Sequence, residues 1–244
     1  MSVVTDQIST SLDALTKEYE IITHNLANVS TAGYKRRCNA FSKVLEAQGT
    51  NSQTYSPGSV ELETSFDFSQ GNIVKTDRKL DFALYGKGFF EIETLNGPVY
   101  TRNGMFNIDP NGQIVDSQGR IVSGQAGPIT IPGNIAISQI SVSSDGSISA
   151  DGTAIGQFKL VDFGDNENKL VPIGGNCYRM TESDIEPVAA EKVIVKQGCQ
   201  ESSNVQIIDE LVDLIMVSRL YEANMNFLNA GKETTSSLIS VAMG

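Results

Sequence analysis

Apolar residues near the amino terminus fall at Ile8, Leu12, Leu15, Tyr19, Ile22, Leu26 and Val29, in steps that alternate between four and three. A stripe that repeats every 3.5 residues predicts a helix packed along another helix. The pattern places its start near Thr5 or Asp6 and its end near Asn28, a length of roughly 35 Å at 1.5 Å per residue. Asn28 or Gly33 can supply the left-handed residue that stops it. The carboxyl-terminal end repeats the period at Ile207, Leu211, Leu214, Tyr221, Met225, Leu228 and Ile239. Ser203-Asn204-Val205-Gln206 reads as a capping box, with Ser203 as N-cap and Gln206 three residues on. No proline follows as far as Ala242, so this second helix spans roughly 55–60 Å. Ser218, Lys232 and Thr235 interrupt its stripe; polar residues there cost stability and can fix register and partner choice.

The middle of the chain changes period. Residues 30–43 read as a turn followed by a basic patch around Lys35-Arg36-Arg37, and 46–79 as an extended connector containing Pro57-Gly58. From Leu80 onward, turn dipeptides recur at Asn96-Gly97, Asn103-Gly104, Asn111-Gly112, Asp145-Gly146 and Asp151-Gly152, which accept the positive φ of tight hairpins. Strand-like runs lie between them at 81–85, 89–95, 105–109, 113–116, 135–142, 155–163 and 169–173. Short strands with frequent turns indicate an antiparallel β domain, a small barrel or a sandwich. The expected fold class is α+β: this β domain flanked by amino- and carboxyl-terminal coiled-coil-like helices that pair together. The expected divisions are 1–34 for the first helix, 35–79 for the connector, 80–195 for the β domain and 196–244 for the second helix.

Charge narrows the function. The 244 residues carry a net −11; residues 1–48 hold five acids and five bases, and residues 200–244 six acids and two bases, so seven net negative charges fall between them. No segment is basic enough to neutralise several phosphates, which argues against nucleic acid, and an acidic body is not drawn to an anionic membrane. No run of about 20 apolar residues predicts a membrane span. Asp6, Asp13, Lys17 and Glu18 interrupt the amino terminus, so no cleaved secretory signal is expected. Cys38, Cys177 and Cys199 are odd in number and form no Cys-x-x-Cys, which disfavours a disulfide framework or structural zinc.

Catalytic chemistry finds no foothold. His24 is the single histidine and lies on the first helix; a surface or interface role is expected rather than a triad. Gly231-Lys232-Glu233-Thr234 lacks the upstream Gly and the Ser or Thr after Lys of a phosphate loop, and falls inside a helix. Asp109-Pro110-Asn111-Gly112 has calcium-like spacing without a following ligand set, and reads as a hairpin turn. Lys35-Arg36-Arg37 reads either as solvated charge or as a pairing site for an acidic neighbouring subunit. No catalytic, cofactor or metal residues are expected. A structural subunit, a coiled-coil-anchored β-domain adhesin and, last, a β-fold hydrolase remain.

Several segments resemble one family. Asn25-Leu26-Ala27-Asn28-Val29-Ser30-Thr31-Ala32-Gly33-Tyr34-Lys35 is similar to the amino-terminal signature of bacterial flagellar axial proteins, the rod, hook and hook-associated subunits. Leu80-Asp81-Phe82-Ala83, Gly86-Lys87-Gly88-Phe89-Phe90, Tyr100-Thr101-Arg102-Asn103-Gly104, Asp109 to Val115, Gln197-Gly198 with Glu201-Ser202-Ser203-Asn204-Val205, and Tyr221-Glu222-Ala223-Asn224 follow in the family's order. The resemblance implies a non-catalytic subunit of the flagellar basal-body rod without a cofactor. Its terminal helices would pair as an inner tube lining the export channel, and its β domain would lie outside. Partners would be copies of itself, other rod and hook proteins and the flagellar export apparatus, with export through the flagellum's own channel and no cleavage. The segment 65–71 followed by Thr76-Asp77-Arg78-Lys79-Leu80-Asp81 resembles the proximal rod type, with a distal rod or hook subunit as the alternative. The expected assembly interface is Leu12, Leu15, Tyr19, Ile22, Asn25, Leu26 and Asn28 on the first helix, and Leu211, Leu214, Tyr221, Met225 and Leu228 on the second.

Overall fold

A computed structural model describes residues 2–39, 64–182 and 185–243. The residues form two compact units. One comprises Met1–Ala27, Arg37–Phe66 and Val205–Gly244; the other comprises Asn28–Arg36 and Asp67–Asn204.

The first unit is helical. Helix α1 covers Ser2–Ala27 and helix α2 covers Ile207–Met243. They lie against each other antiparallel: Asn25 meets Glu210, while Leu15 and Tyr19 meet Val217 and Tyr221. Side chains are described from Ile8 in α1 and as far as Gly231 in α2, so Ile239 lies outside them. Strand Arg37–Asn39 follows α1 and pairs antiparallel with Thr64–Phe66, the latter inside the segment expected to be an extended connector. Residues 40–63 of that segment, including Pro57-Gly58, lie outside the described residues.

The expected cap of α2 is corrected. The helix begins at Ile207, and the Glu210 N–H donates to the Gln206 carbonyl. Ser203 therefore sits too far upstream to cap it, and the neighbouring Asn204 side chain is engaged elsewhere, as described below.

The second unit is built of short antiparallel strands. Its largest sheet has six, in the order Leu170–Gly174, Cys177–Met180, Val99–Thr101, Phe89–Ile92, Leu160–Asp162, Val188–Ala189. Two sheets of three strands accompany it: Ile194–Gln197 with Asp81–Tyr85 and Gly104–Met105, and Ile140–Val142 with Ser147–Ala150 and Thr153–Gln157. The described sheets remain open and do not close into a barrel, which corrects that half of the expected alternative. Four phenylalanines join the sheets: Phe82, Phe90, Phe106 and Phe158 are all buried, with ring centroids 5.1 Å apart for Phe82–Phe158 and Phe90–Phe106. A second aromatic group stacks Phe68 on Phe89 and Tyr178, and Phe163 on Tyr100. Edge-to-face rings of this kind add to the burial of their area.

Most turn dipeptides behave as their chemistry demands. Gly97, Gly112, Gly146 and Gly152 all have positive φ. Asn103-Gly104 is the exception: Gly104 is a strand residue in register with Phe82, and a Cβ there would lie 1.9 Å from the Phe82 carbonyl oxygen. That glycine serves close backbone approach rather than a turn.

Candidate assembly interface

On α2 the face toward α1 carries Glu210, Leu214, Val217, Tyr221, Asn224 and Leu228. Glu210 and Val217 are buried, Leu214, Asn224 and Leu228 half-buried, and Tyr221 at the rim. At 100° per residue this line is turned by about 70° from Ile207, Leu211 and Met225. Leu211, Tyr221 and Met225 are each partly open, with Leu211 45% exposed. On α1, Ile22 and Asn25 are buried, Leu12, Leu15 and Leu26 half-buried, and Tyr19 exposed. Leu15, Thr16 and Tyr19 with Val217, Ser218 and Tyr221 line a groove of about 340 Å³ between the helices.

The opposite side of α2 is also apolar. Ile208 is 76% exposed, Val212, Ile215 and Met216 more than half exposed, and Phe227 60% exposed. A helix that is apolar on two opposite faces has more to cover than its own partner can cover.

Asn25 explains why the amino-terminal signature needs an amide. Its Oδ1 accepts from the Arg37 N–H at 2.9 Å, and its Nδ2 donates to the Arg37 carbonyl at 2.9 Å and to Glu210 Oε2 at 3.2 Å. The side chain thus pairs with residue 37 as a neighbouring strand would, and holds the first turn of α2. Asn28 follows the end of α1. Its carbonyl and Oδ1 accept from the Thr31 N–H and hydroxyl, closing the turn after α1. Burial and the nearby Arg37 hold the His24 imidazole below its ordinary value.

The second unit brings three distant signature segments to one point. Lys35 and Glu201 are fully buried, with Nζ 2.7 Å from Oε1. Lys35 Nζ also donates to the Ser69 carbonyl at 2.6 Å, and the Gly71 N–H donates to the same carboxylate oxygen at 3.0 Å. Arg102 lies with Nε 3.3 Å from Glu201 Oε2, donates to the Gly88 carbonyl at 2.7 Å, and places its guanidinium over the Phe89 ring. Burial pushes the Lys35 ammonium below its ordinary value, against the pull of Glu201. Gly33 makes this packing possible: its φ is +67°, and a Cβ there would sit 2.5 Å from the Asn103 backbone nitrogen. Its N–H donates to the Glu201 carbonyl at 2.7 Å. The expectation for Lys35-Arg36-Arg37 is thereby corrected: Lys35 is buried on a carboxylate of its own chain. Arg37 stacks over Phe66. The spacing of three basic residues carried no hint of this, because the partner carboxylate is 166 positions away.

Two further clusters complete the frame. Buried Asp81 accepts from Thr76 Oγ1, Arg78 and Gln200. Asn204 accepts from the Arg36 N–H at 2.7 Å and donates to the Asp67 carbonyl at 2.8 Å, while the Asp67 N–H donates to the Arg36 carbonyl.

This convergence of signature segments agrees with known proteins. The family model for the flagellar hook protein FlgE/F/G D1 domain matches residues 83–150, and that for the flagellar basal body rod FlgEFG protein C-terminal matches residues 196–241. The flagellar basal-body rod protein FlgG of Buchnera aphidicola subsp. Schizaphis graminum is 33% identical, over 94% of this chain and 95% of that protein. The chain belongs to the flagellar basal-body rod family. FlgG of Agrobacterium fabrum is 32% identical over 93% of the chain and 95% of its own length. FlgF of Salmonella typhimurium is 31% identical over 86% of each. Relatives of both the FlgF and FlgG types therefore span most of the chain. The buried residues Lys35, Arg102 and Glu201 lie in the segments whose resemblance first indicated the rod family, so those motifs carry the frame of its body.

Proposed function

We propose that this chain is a non-catalytic structural subunit of the flagellar rod, which packs side by side with further copies or related axial subunits in a helical array. The observation that carries the proposal is the second apolar face of α2, which its own α1 does not cover. Coiled-coil-like packing of α1 and α2 against helices of neighbouring subunits would bury it, and a contact repeated with a rotation extends as an open helix rather than a closed dimer. Rod proteins are structural parts of the flagellum, so the frame of buried ion pairs serves rigidity rather than turnover. In this reading the helices line the export channel, the β unit lies outward, the residues divide as helix, connector, β domain and helix, and the subunit reaches its place through the flagellar export apparatus without signal cleavage. No helix among the described residues is long and apolar enough to cross a membrane.

Deleting the gene should abolish or shorten the rod and stop hook formation while the inner-membrane ring still assembles; normal rods and hooks in the deletion strain would refute the reading. Two positions in the rod have specific support. The segment Thr76 to Asp81 favours the proximal FlgF type, and the greater coverage by FlgG of Buchnera aphidicola than by FlgF of Salmonella typhimurium favours the distal type. Complementation of separate flgF and flgG deletions by this chain decides between them.

A further inference from the structure

Asn-Gly, the dipeptide most open to loss of the side-chain amide, occurs at 96–97, 103–104 and 111–112. We propose that Asn96 is a site of spontaneous modification to aspartate and isoaspartate, and that the fold protects Asn103 and Asn111. In the first step the Gly97 backbone nitrogen attacks Asn96 Cγ. A carbon–nitrogen bond forms, the Cγ–Nδ2 bond breaks, and the amide nitrogen leaves as ammonia with the proton that Gly97 gives up. Water then opens the five-membered imide at either carbonyl. Opening at one carbonyl gives aspartate, and opening at the other gives isoaspartate, with an extra carbon in the main chain. No reactant other than water is needed, and the product carries one more negative charge.

The three sites share their reactive dipeptide and differ in their surroundings. Asn96 is exposed at the tip of the hairpin between Phe89–Ile92 and Val99–Thr101, beside a fully exposed Leu95. Gly97 has φ +98°, and nothing among the described residues lies within 4 Å of where its Cβ would be. The turn is held by the Gly97 N–H on the Thr94 carbonyl at 3.1 Å and by the Thr94 hydroxyl on the Gly97 carbonyl. Opening such a tip disturbs no core contact. At Asn103 the side-chain oxygen accepts from the Met105 N–H at 3.1 Å, and Gly104 is wedged against Phe82. At Asn111 the amide nitrogen donates to Asp109 Oδ2 at 3.1 Å, and the Gly112 carbonyl accepts from the Ile131 N–H at 2.8 Å. Gly104 would have to leave its strand, and Gly112 its bonds with the Asp109 carbonyl and the Ile131 N–H, before either nitrogen could swing onto the side chain.

The test incubates the purified full-length chain at mildly alkaline pH, folded and in urea, and follows each peptide by mass spectrometry with an isoaspartate-specific methylation assay. In the folded chain Asn96 should convert about tenfold faster than either other site, the ratio that about 1.4 kcal/mol of local opening produces. In urea the three rates should come together. Asp109→Ala should raise the rate at Asn111 and leave Asn96 unchanged. Equal rates at the three sites in the folded chain, or a rate at Asn111 indifferent to Asp109→Ala, would overturn the proposal.

Discussion

At the scale of single residues, the molecule rests on polar groups that are buried and paired. Lys35 shows what such a group costs when its partner is removed. Lys35→Met leaves Glu201 buried with one cation, Arg102, at 3.3 Å, and should lower stability by about 3–5 kcal/mol in urea unfolding. A loss under about 1 kcal/mol would mean that the cluster is solvated in solution. Replacing both Lys35 and Glu201 by methionine should not restore stability, because buried Arg102 would lose its ion-pair partner and the Gly71 N–H its acceptor. Tyr100 supplies a pH dependence. Burial, and then the charge of Glu91, push its phenol from 10.0 up to about 12. The unfolded chain therefore releases this proton first, and stability falls as pH climbs from about 10 to about 12. Tyr100→Phe should remove that part of the alkaline decline; an unchanged slope in a denaturation series over this range would show that the phenol is not protected.

At the scale of elements, α2 separates folding from assembly. Val217→Asp places a charge in the face against α1 and should cost about 2–4 kcal/mol in the isolated chain, read as lost helicity on urea titration. Ile215→Asp, on the far face, should change monomer stability by no more than about 0.5 kcal/mol and yet abolish motility and rod formation. Normal swimming with Ile215→Asp at normal protein level would remove the second face from the assembly. The helices themselves were legible: their existence and their places in the chain follow from spacing alone. The true contact line was hidden because it passes through Glu210 and Asn224, polar residues that a search for apolar repeats steps over. The strands were legible where short apolar runs lie between turn residues, as at Asp81–Tyr85 and Leu170–Gly174. Ile73–Lys75 was read as connector because it has three residues, two of them exposed, and its partner Cys199–Glu201 lies far along the chain. Local pattern carries no record of such a partner. Likewise Asn25 stood out through its signature, but its grip on the Arg37 backbone needed the turn of the chain between them.

At the scale of the whole molecule, the chain passes between its two units four times, after residues 27, 36, 66 and 204. Three of the residues on the β-unit side of these passages, Arg36, Asp67 and Asn204, are bonded to one another through the Asn204 amide and their own main chains. Asn204→Ala should lower the melting midpoint, removing bonds worth about 1 kcal/mol each; an unchanged melting curve would show that the main-chain bond between Arg36 and Asp67 suffices. Tied together in this way, the three residues cannot loosen one at a time: freeing one frees the others, so the β unit keeps or loses this corner as a whole.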